Sequence, residues 1–178
     1  KNGVTVYTRS EPGSKIISLK GTTNIAATPK ELYEILKDNS IAGDWIPRVR
    51  EKKTVQTISE TERMEVTYVA MPWPLTDRYF VSNSSIKIQN DGTYYIMVKG
   101  SEDPLKHDDM VAGEIQFSKI ILTPSADGKS TNAMVEVNTD PKGMLPKWII
   151  NLVQENWPIE FFENMTKIAT KRRENKAS

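Results

Sequence analysis

An apolar segment near the C-terminus, Gly143 to Phe162 (GMLPKWIINLVQENWPIEFF), constrains the fold more than any other part of the chain. Between Trp148 and Val153 the single polar residue is Asn151, whereas an ordinary surface helix shows one apolar stripe. The pattern predicts one long helix from Leu145 to about Arg173, which Pro158 is expected to kink. Other parts of the protein must therefore cover more than one face of this helix.

Strand patterns fill the middle of the chain and pair as three predicted hairpins. The hairpins are Lys52–Ser59 with Arg63–Ala70, Arg78–Gln89 with Thr93–Gly100, and Gly113–Pro124 with Ala133–Thr139. Before them, the pattern predicts strands over Val4–Arg9 and Ile16–Ile25 and a helix that Thr28 caps and Pro29 opens. Strands that follow one another through short turns form an antiparallel sheet.

This order of elements predicts an α+β fold. An antiparallel sheet must cover its apolar face, and the C-terminal helix is the only large element available for that purpose. We therefore expect a curved sheet that wraps around the long helix. The 178 residues suit one domain with a sizeable core, so residues 1–178 are assigned to a single domain.

Composition excludes several classes of function. The 24 basic and 23 acidic residues leave a net charge of +1, so we expect no nucleic-acid partner. The chain contains no cysteine, which excludes disulfides and thiolate chemistry. No apolar run approaches the roughly 20 residues of a membrane-spanning helix.

Signatures of catalysis and of metal binding are largely missing. The single histidine, His107, is expected in a solvated loop beside Asp108 and Asp109, so a zinc site of His and Cys ligands is excluded. The chain also lacks the Gly-x-Ser-x-Gly nucleophile elbow of α/β-hydrolases. We expect no metal, no cofactor and no catalytic residue. Lys171, Arg172 and Arg173 are expected to be cations that favour a helix C-terminus.

The remaining feature is apolar surface on strands and helix. Alternation groups Phe80 with Ser82, Ser84, Ile86 and Ile88, Tyr94 with Ile96 and Val98, Ile115 with Phe117, and Ala133 with Val135 and Val137. On the last helix, Ile149, Val153, Trp157, Phe161 and Met165 form one stripe, with Ile150 and Leu152 beside it. Two interpretations remain open: a solid core between helix and sheet, or a hollow that holds an apolar ligand. Periodicity alone favours the solid core but does not decide.

Two motifs resemble those of a known family. MPWPLTDRYFV, Met71 to Val81, resembles the Pro/Leu…Asp-Arg-Asp-Phe/Tyr-Val segment of START domains, the lipid-transfer family related to steroidogenic acute regulatory protein. Asp140 to Met165 resembles the family's ending, Asp-x-x-Gly-x-(Ile/Leu)-Pro-x-x-(Leu/Ile)-(Ile/Val)-Asn. The resemblance covers nearly the whole chain and implies a helix-grip fold, here as a stand-alone domain of the bacterial type. In this fold the C-terminal helix closes a tunnel that takes one lipid or sterol.

The resemblance implies a set of tunnel residues. The ligand-binding candidates are Glu65, Thr67, Phe80, Ser84, Tyr94, Ile96, Ile115, Phe117, Val135, Ile149, Ile150, Val153, Trp157 and Phe161. The gate candidates are Asn90, Asp91 and Gly92 in one short turn, with Gly143 and Pro146 before the last helix.

Two of these positions bear on the ligand. Glu65 falls where sterol-handling members carry a cavity acid, and Ser84 falls where they carry a cavity arginine. If Glu65 faces inward, it lacks that basic partner and must protonate or bind a polar ligand group. Alternation leaves both faces of the strand open for Glu65, so the ligand class stays open as well.

These features predict a non-enzymatic protein that binds one lipid, phospholipid or sterol-like molecule and carries or senses it. We expect transient membrane contact and a monomer. The alternative is an enzyme of the polyketide cyclase or aromatase type, with Glu65, Thr67, Ser84 and Tyr94 converging in the cavity; a ligand-gated partner-binding protein has no distinct sequence support. The location is expected to be periplasmic or secreted if a signal peptide precedes Lys1, and cytoplasmic otherwise.

Overall fold

One curved antiparallel sheet and one long helix dominate the fold. The computed structural model describes residues 2–10, 16–102, 104 and 106–177, without the side chains of residues 147, 151–155 and 177. The elements are β1 (Thr5–Ser10), β2 (Ile17–Ile25), α1 (Pro29–Leu36), a 3-10 turn (Asn39–Ile41), α2 (Ala42–Trp45), β3 (Val49–Thr57), β4 (Glu62–Val69), β5 (Arg78–Ile88), β6 (Tyr94–Gly100), β7 (Val111–Ala112), β8 (Glu114–Pro124), β9 (Thr131–Asp140) and α3 (Lys147–Ala177).

The strands pair into a single sheet in the order β1-β2-β9-β8-β6-β5-β4-β3, and the short β7 runs parallel to β5. Within the described residues this sheet and α3 confirm the predicted α+β fold. All three predicted hairpins form, with strand ends shifted by a few residues. No helix in the described part of the chain is long and apolar enough to cross a membrane.

Local sequence explains where α1 begins. The Glu31 main-chain N–H donates to the Thr28 hydroxyl at 3.3 Å, and the Thr28 main-chain N–H donates to the Glu31 carboxylate at 2.7 Å. This reciprocal capping box satisfies two groups that a helix start leaves unpaired, and Pro29 supplies the first helical residue. Leu32 and Ile35 then project into the core.

The turn between β5 and β6 forms as its Asp-Gly pair predicts. Gly92 adopts a φ of +83°, which a side chain would strain. The Thr93 main-chain N–H donates to the Asp91 carboxylate at 2.9 Å, and the Gln89 main-chain N–H donates to the Thr93 carbonyl at 2.9 Å. Since these bonds close the turn tightly, the register between β5 and β6 is fixed at this end.

The second half of α3 packs directly on the sheet. At Gly21 of β2, a Cβ atom would lie 2.8 Å from the Pro158 Cβ and 3.0 Å from the Phe162 ring. Glycine therefore permits an approach that any larger residue would block. Phe161, Phe162, Met165 and Ala169 join residues of α1, α2 and the sheet in one buried core cluster. This contact accounts for the apolar character of the helix beyond Pro158.

The end of α3 is tied to α1 by ion pairs. Arg173 Nη2 lies 2.9 Å from a Glu31 carboxylate oxygen, and Arg172 Nη2 lies 3.2 Å from a carboxylate oxygen of Asp38. The hydrogen bond from Arg173 lowers the pKa of Glu31 from 4.5 to about 2. The two arginines predicted as cations at a helix terminus thus have specific acidic partners on the segment that follows β2.

The single histidine is not the solvated loop residue that the sequence suggested. His107 is half-buried against the outer face of the sheet, where its Nε2 lies 3.2 Å from the Tyr68 hydroxyl. Its ring also contacts the Tyr79 ring, with centroids 4.7 Å apart. The two tyrosines are paired across β4 and β5, so they offer an aromatic surface that the loop residue covers. Tertiary packing here overrides the local polarity of the loop.

Candidate functional site

The candidate site is the inner face of the sheet, which we define as the face that α3 covers. One row of side chains across it, Ile96, Ile120 and Val135, is buried and ends at Gly21 under Phe162. The neighbouring row, which we call the open row, consists of Ser84, Val98, Ser118 and Val137. Every member of the open row is only half-buried, although it faces the helix side of the sheet, whereas Leu19 of β2, which pairs with Val137, is buried.

The open row lies toward the first half of α3. Arg78 begins β5 and Asp140 ends β9 at the same end of the sheet, and α3 follows Asp140 after a short loop. Accessible apolar groups beneath a covering helix are unusual, because protein interiors normally pack without voids. Among the described side chains, the inner face is therefore closely packed toward the end of α3, and its open row toward the beginning of α3 stays partly exposed.

The structure brings most predicted tunnel residues to this face. Strand register places Glu65, Thr67, Phe80, Ser84, Tyr94, Ile96, Ile115 and Val135 on the inner face. On α3, Ile149 is buried, Ile150 and Trp157 are half-buried, and the side chain of Val153 lies outside the described residues. Ile96, Val135 and Phe161 belong to the buried core cluster. Tyr94 packs on Tyr33 of α1, with ring centroids 5.4 Å apart.

Phe117 is on the wrong face for the predicted tunnel. An irregularity in the pairing of β8 with β9 sets Ile115 opposite Thr139 and Phe117 opposite Asn138. The extra residue of this bulge reverses the alternation, so Phe117 lies on the outer face with Lys119, whose Nζ is 5.5 Å from its ring centre. The prediction that Ile115 and Phe117 share a face is therefore wrong.

The predicted gate is divided between two ends of the sheet. Asn90, Asp91 and Gly92 form the turn that follows Ile88, next to Pro124 and α1. Gly143 and Pro146 lie in the loop that follows β9, at the end where β5 begins. β5 has eleven residues, so the ten steps between its first and last residue separate these ends by about 33 Å at roughly 3.3 Å per step. The two groups therefore do not border one opening.

The structure shows the orientation of Glu65, which the sequence left open. It faces inward and its residue exposure is 0 %. Lys52 Nζ lies 2.8 Å from one carboxylate oxygen, and Asn39 Nδ2 donates to the other at 3.0 Å. Arg63 Nη2 is 3.8 Å from that second oxygen. The expectation that an inward Glu65 lacks a basic partner is wrong, because a lysine from β3 takes the place of the missing arginine on β5.

These partners keep the Glu65 carboxyl ionised. Burial by itself raises the pKa of Glu65, but the Lys52 ammonium, the Asn39 amide and the Arg63 guanidinium together hold that pKa below its ordinary value of 4.5. Lys52 and Asn39 could not be identified as site residues from the sequence. For Lys52 the signal would have been the register of β3 on β4, which two irregularities interrupt.

Trp45 links this ion pair to the apolar wall of the site. Lys52 Nζ is 6.0 Å from the centre of the Trp45 ring, and that ring meets Phe161 edge-on at 5.9 Å. Phe161 in turn stacks on Trp157 at 5.2 Å. The Trp45 Nε1 and Asn39 Oδ1 atoms are buried and have no hydrogen-bond partner among the described residues. A donor and an acceptor thus remain free beside the charged pair.

Exposed apolar side chains mark the end of the molecule where α3 begins. Trp73 is 92 % exposed in the loop between β4 and β5, and Met144 is 95 % exposed in the loop between β9 and α3. Trp148, in the first turn of α3, is 54 % exposed. Large apolar residues at such exposure, clustered on neighbouring loops, are typical of an interaction surface.

Comparison with known proteins identifies the family. The START domain model matches residues 1–175. An uncharacterized protein of Pseudomonas aeruginosa is 26% identical over 176 residues, which cover 97% of this chain and 85% of that protein. The mitochondrial steroidogenic acute regulatory protein of Salvelinus fontinalis is 29% identical over 138 residues, 74% of this chain and 47% of that protein; the chain thus matches about half of this second relative.

Solved structures show the same fold. Human StAR-related lipid transfer protein 5 superposes with a TM-score of 0.86 at 21% identity, covering 97% of this chain and 85% of that one. The Zhui aromatase/cyclase of Streptomyces sp. R1128 is more distant, with a TM-score of 0.59 at 10% identity, covering 88% of this chain and 95% of that one. The fold, the motifs and the match over nearly all of its length agree: this chain belongs to the START domain family.

Proposed function

We propose that the chain binds one hydrophobic molecule, a lipid, phospholipid or sterol-like compound, between the inner face of the sheet and the first half of α3. It carries or senses this molecule without catalysing a reaction. The open row is the observation that carries the proposal, because it leaves Val98 and Val137 accessible under a helix. An apolar ligand that covers them is itself removed from water. Each Å² of apolar surface removed from water contributes about 25 cal/mol to the free energy of binding.

The cluster of Glu65, Lys52, Asn39 and Trp45 supports a ligand with a polar end. The free Trp45 N–H requires an acceptor and the free Asn39 carbonyl requires a donor. A ligand hydroxyl supplies both, and leaving such buried groups unpaired costs about 1–3 kcal/mol each. Lys52 and Arg63 both pair with the Glu65 carboxylate. A neutral hydroxyl fits the unpaired donor and acceptor better than an ionised phosphate, which has no proton to donate to the Asn39 carbonyl.

Membrane contact belongs to the same proposal. Trp73, Met144 and Trp148 would enter the boundary between headgroups and acyl chains, and the exposed Arg48 lies close to the Trp73 loop. The Arg48 main-chain carbonyl accepts a hydrogen bond from the Ala70 N–H at the start of that loop. In the other loop, Lys142 is already paired with Asp140 and Glu114. Apolar tips with a cation nearby suit the surface of a phospholipid bilayer. A ligand would enter or leave at this end, beside the open row.

Native mass spectrometry of the freshly purified protein, followed by organic extraction, tests the proposal. We expect one lipid or sterol mass per protein molecule, or uptake of one molecule from mixed liposomes. An apo mass together with no uptake would contradict the proposed function and favour a solid core.

A cyclase-type enzyme is the second candidate, since the fold is shared with an aromatase/cyclase and Glu65 is a buried acid on the inner face. The lowered pKa of Glu65 makes it a weak base near neutral pH, which argues against general-base work. Turnover of a polyketide-like substrate that Glu65→Gln abolishes would support the enzyme. Unchanged lipid uptake in Lys52→Gln would show that the ion pair is not needed for binding.

A further inference from the structure

Arg78 connects the two loops that carry the exposed apolar side chains. It is the first residue of β5 and only 3 % exposed. Its Nε donates to the Pro141 carbonyl at 3.3 Å and its Nη2 donates to the Lys142 carbonyl at 3.3 Å. Its Nη1 donates to the Thr76 carbonyl. One guanidinium thus holds the end of the Trp73 loop and the beginning of the Met144 loop.

Other contacts make each loop rigid on its own side of Arg78. In the first loop, the Asp77 carboxylate accepts the Met71 main-chain N–H at 2.9 Å and pairs with Arg50. In the second, Lys142 Nζ lies 2.8 Å from Asp140 and 2.7 Å from Glu114. These bonds tie the first loop to β3 and the second loop to β8 and β9, whereas Arg78 bonds to both loops at once.

Burial of this guanidinium is costly, so its position calls for an explanation other than charge pairing. Desolvation lowers the pKa of Arg78, and the nearby Asp77 opposes this only in part. A planar guanidinium has five N–H donors in a rigid fork, so it can satisfy carbonyls on two chain segments together. A lysine ammonium keeps the charge but cannot span the same acceptors in the same geometry.

We infer that Arg78 is a positioning residue that holds the Trp73 loop and the Met144 loop in one fixed orientation, so that both enter a bilayer as a single surface. The inference rests on the membrane contact in the proposed function. Two apolar tips that act together bind with the advantage of a linked pair. Two tips that move independently lose that advantage although each remains exposed.

The first experiment measures loop geometry without any membrane. The natural chain has no cysteine, so Trp73→Cys with Met144→Cys allows two spin labels and a distance distribution between them. We expect one narrow distribution with Arg78 and a distribution at least twice as wide with Arg78→Lys. Arg50→Lys is the matched control, because Arg50 contacts Asp77 of the first loop and does not bridge the loops.

The second experiment measures binding of unlabelled protein to vesicles of phosphatidylcholine and phosphatidylglycerol at 4:1. Arg78→Lys should weaken vesicle binding about tenfold, while uptake of a lipid supplied in detergent micelles stays unchanged at a temperature where both proteins are folded. Its melting temperature should fall, because hydrogen bonds of a buried guanidinium are lost. Arg50→Lys should bind vesicles as the parent protein does. A merely structural role for Arg78 would lower micellar uptake as much as vesicle binding, and that result would overturn the inference.

The outcomes separate the inference from the proposed function. Parent-like vesicle binding and a narrow distance distribution in Arg78→Lys overturn the inference alone. A parent protein that takes up lipid from micelles but binds no vesicles overturns both the inference and the membrane contact. If Arg78→Lys does not fold, Gly143→Ala replaces it, since its Cβ would lie 3.3 Å from Arg78 Nη2 at a φ of +73° and displaces the second loop only. Parent-like results for Gly143→Ala would then overturn the inference.

Discussion

The two halves of α3 differ in what they contact. Beyond Pro158 the helix is pressed against Gly21, buries Phe161, Phe162 and Met165, and ends in ion pairs with α1 and Asp38. Before Pro158 it lies beside the half-buried open row, and its first turn exposes Trp148. The described residues of the second half therefore stabilise the fold, whereas the first half, which buries Ile149 but exposes Trp148, is the half where we propose that a ligand and a bilayer bind.

Removing a ring from the packed half should have the largest effect. Phe162→Ala is expected to lower the free energy of unfolding by about 3–5 kcal/mol, since the buried ring contacts Gly21 and Phe161 and leaves a cavity. Urea denaturation measures this change. Trp148→Ala, in the exposed first turn, should stay within about 0.5 kcal/mol of the parent. Equal losses at both positions would mean that the two halves are equally packed.

Added bulk distinguishes the two rows of the inner face. Gly21→Val should lower the free energy of unfolding by about 1–3 kcal/mol, because a Cβ at this position would lie only 2.8 Å from the Pro158 Cβ. Val98→Trp, in the open row, should cost less than about 1 kcal/mol while it abolishes uptake of a fluorescent lipid, because the larger ring occupies the ligand's space. A strong loss of stability in Val98→Trp with no ligand bound would indicate a solid core.

The exposed tips should affect vesicle binding and leave stability unchanged. Trp73→Ser with Met144→Ser should weaken partition into phospholipid vesicles at least tenfold, or about 1.4 kcal/mol, because both apolar side chains are lost. The melting temperature should not change, since both residues are almost fully exposed. Tyr7→Ser, also an exposed apolar position but on the edge strand β1, is the control. Equal loss of binding in the control would point to nonspecific adsorption.

The smallest expected effect comes from pH at the anchored end of α3. The pKa of Glu31 is about 2 in the folded protein and 4.5 without its partners. Its contribution to folding stability is therefore complete above pH 4.5 and is lost as the pH falls from 4.5 to 2. Because the pair with Arg173 is about one-third exposed, solvent screening limits its contribution to the free energy of unfolding to about 1 kcal/mol or less. Glu31→Gln should therefore reduce stability at pH 7 and match the parent near pH 2. A constant difference across this range would show that the loss does not depend on the charge of Glu31, which the ion pair with Arg173 requires.

Local patterns predicted much of the fold. The capping box at Thr28 and the Asp-Gly turn at Asp91 depend on residues a few positions apart, so a sequence shows them directly. The alternation of Phe80 with Ser82 and Ser84 likewise follows from the geometry of one strand. The same reasoning failed for Phe117, because a bulge shifts the alternation by one residue and the residue types do not indicate it.

By itself, the sequence determined the order of strands and helices, the apolar segment that the sheet must cover and the family motifs, because each depends on neighbouring residues or on a short spacing. Tertiary structure alone decided that Lys52 and not a β5 arginine pairs with Glu65, that Asn90 and Gly143 lie at opposite ends, and that Arg78 joins two loops. These facts depend on strand register and on contacts between residues far apart in the chain. Residue identity and local periodicity do not encode such distances.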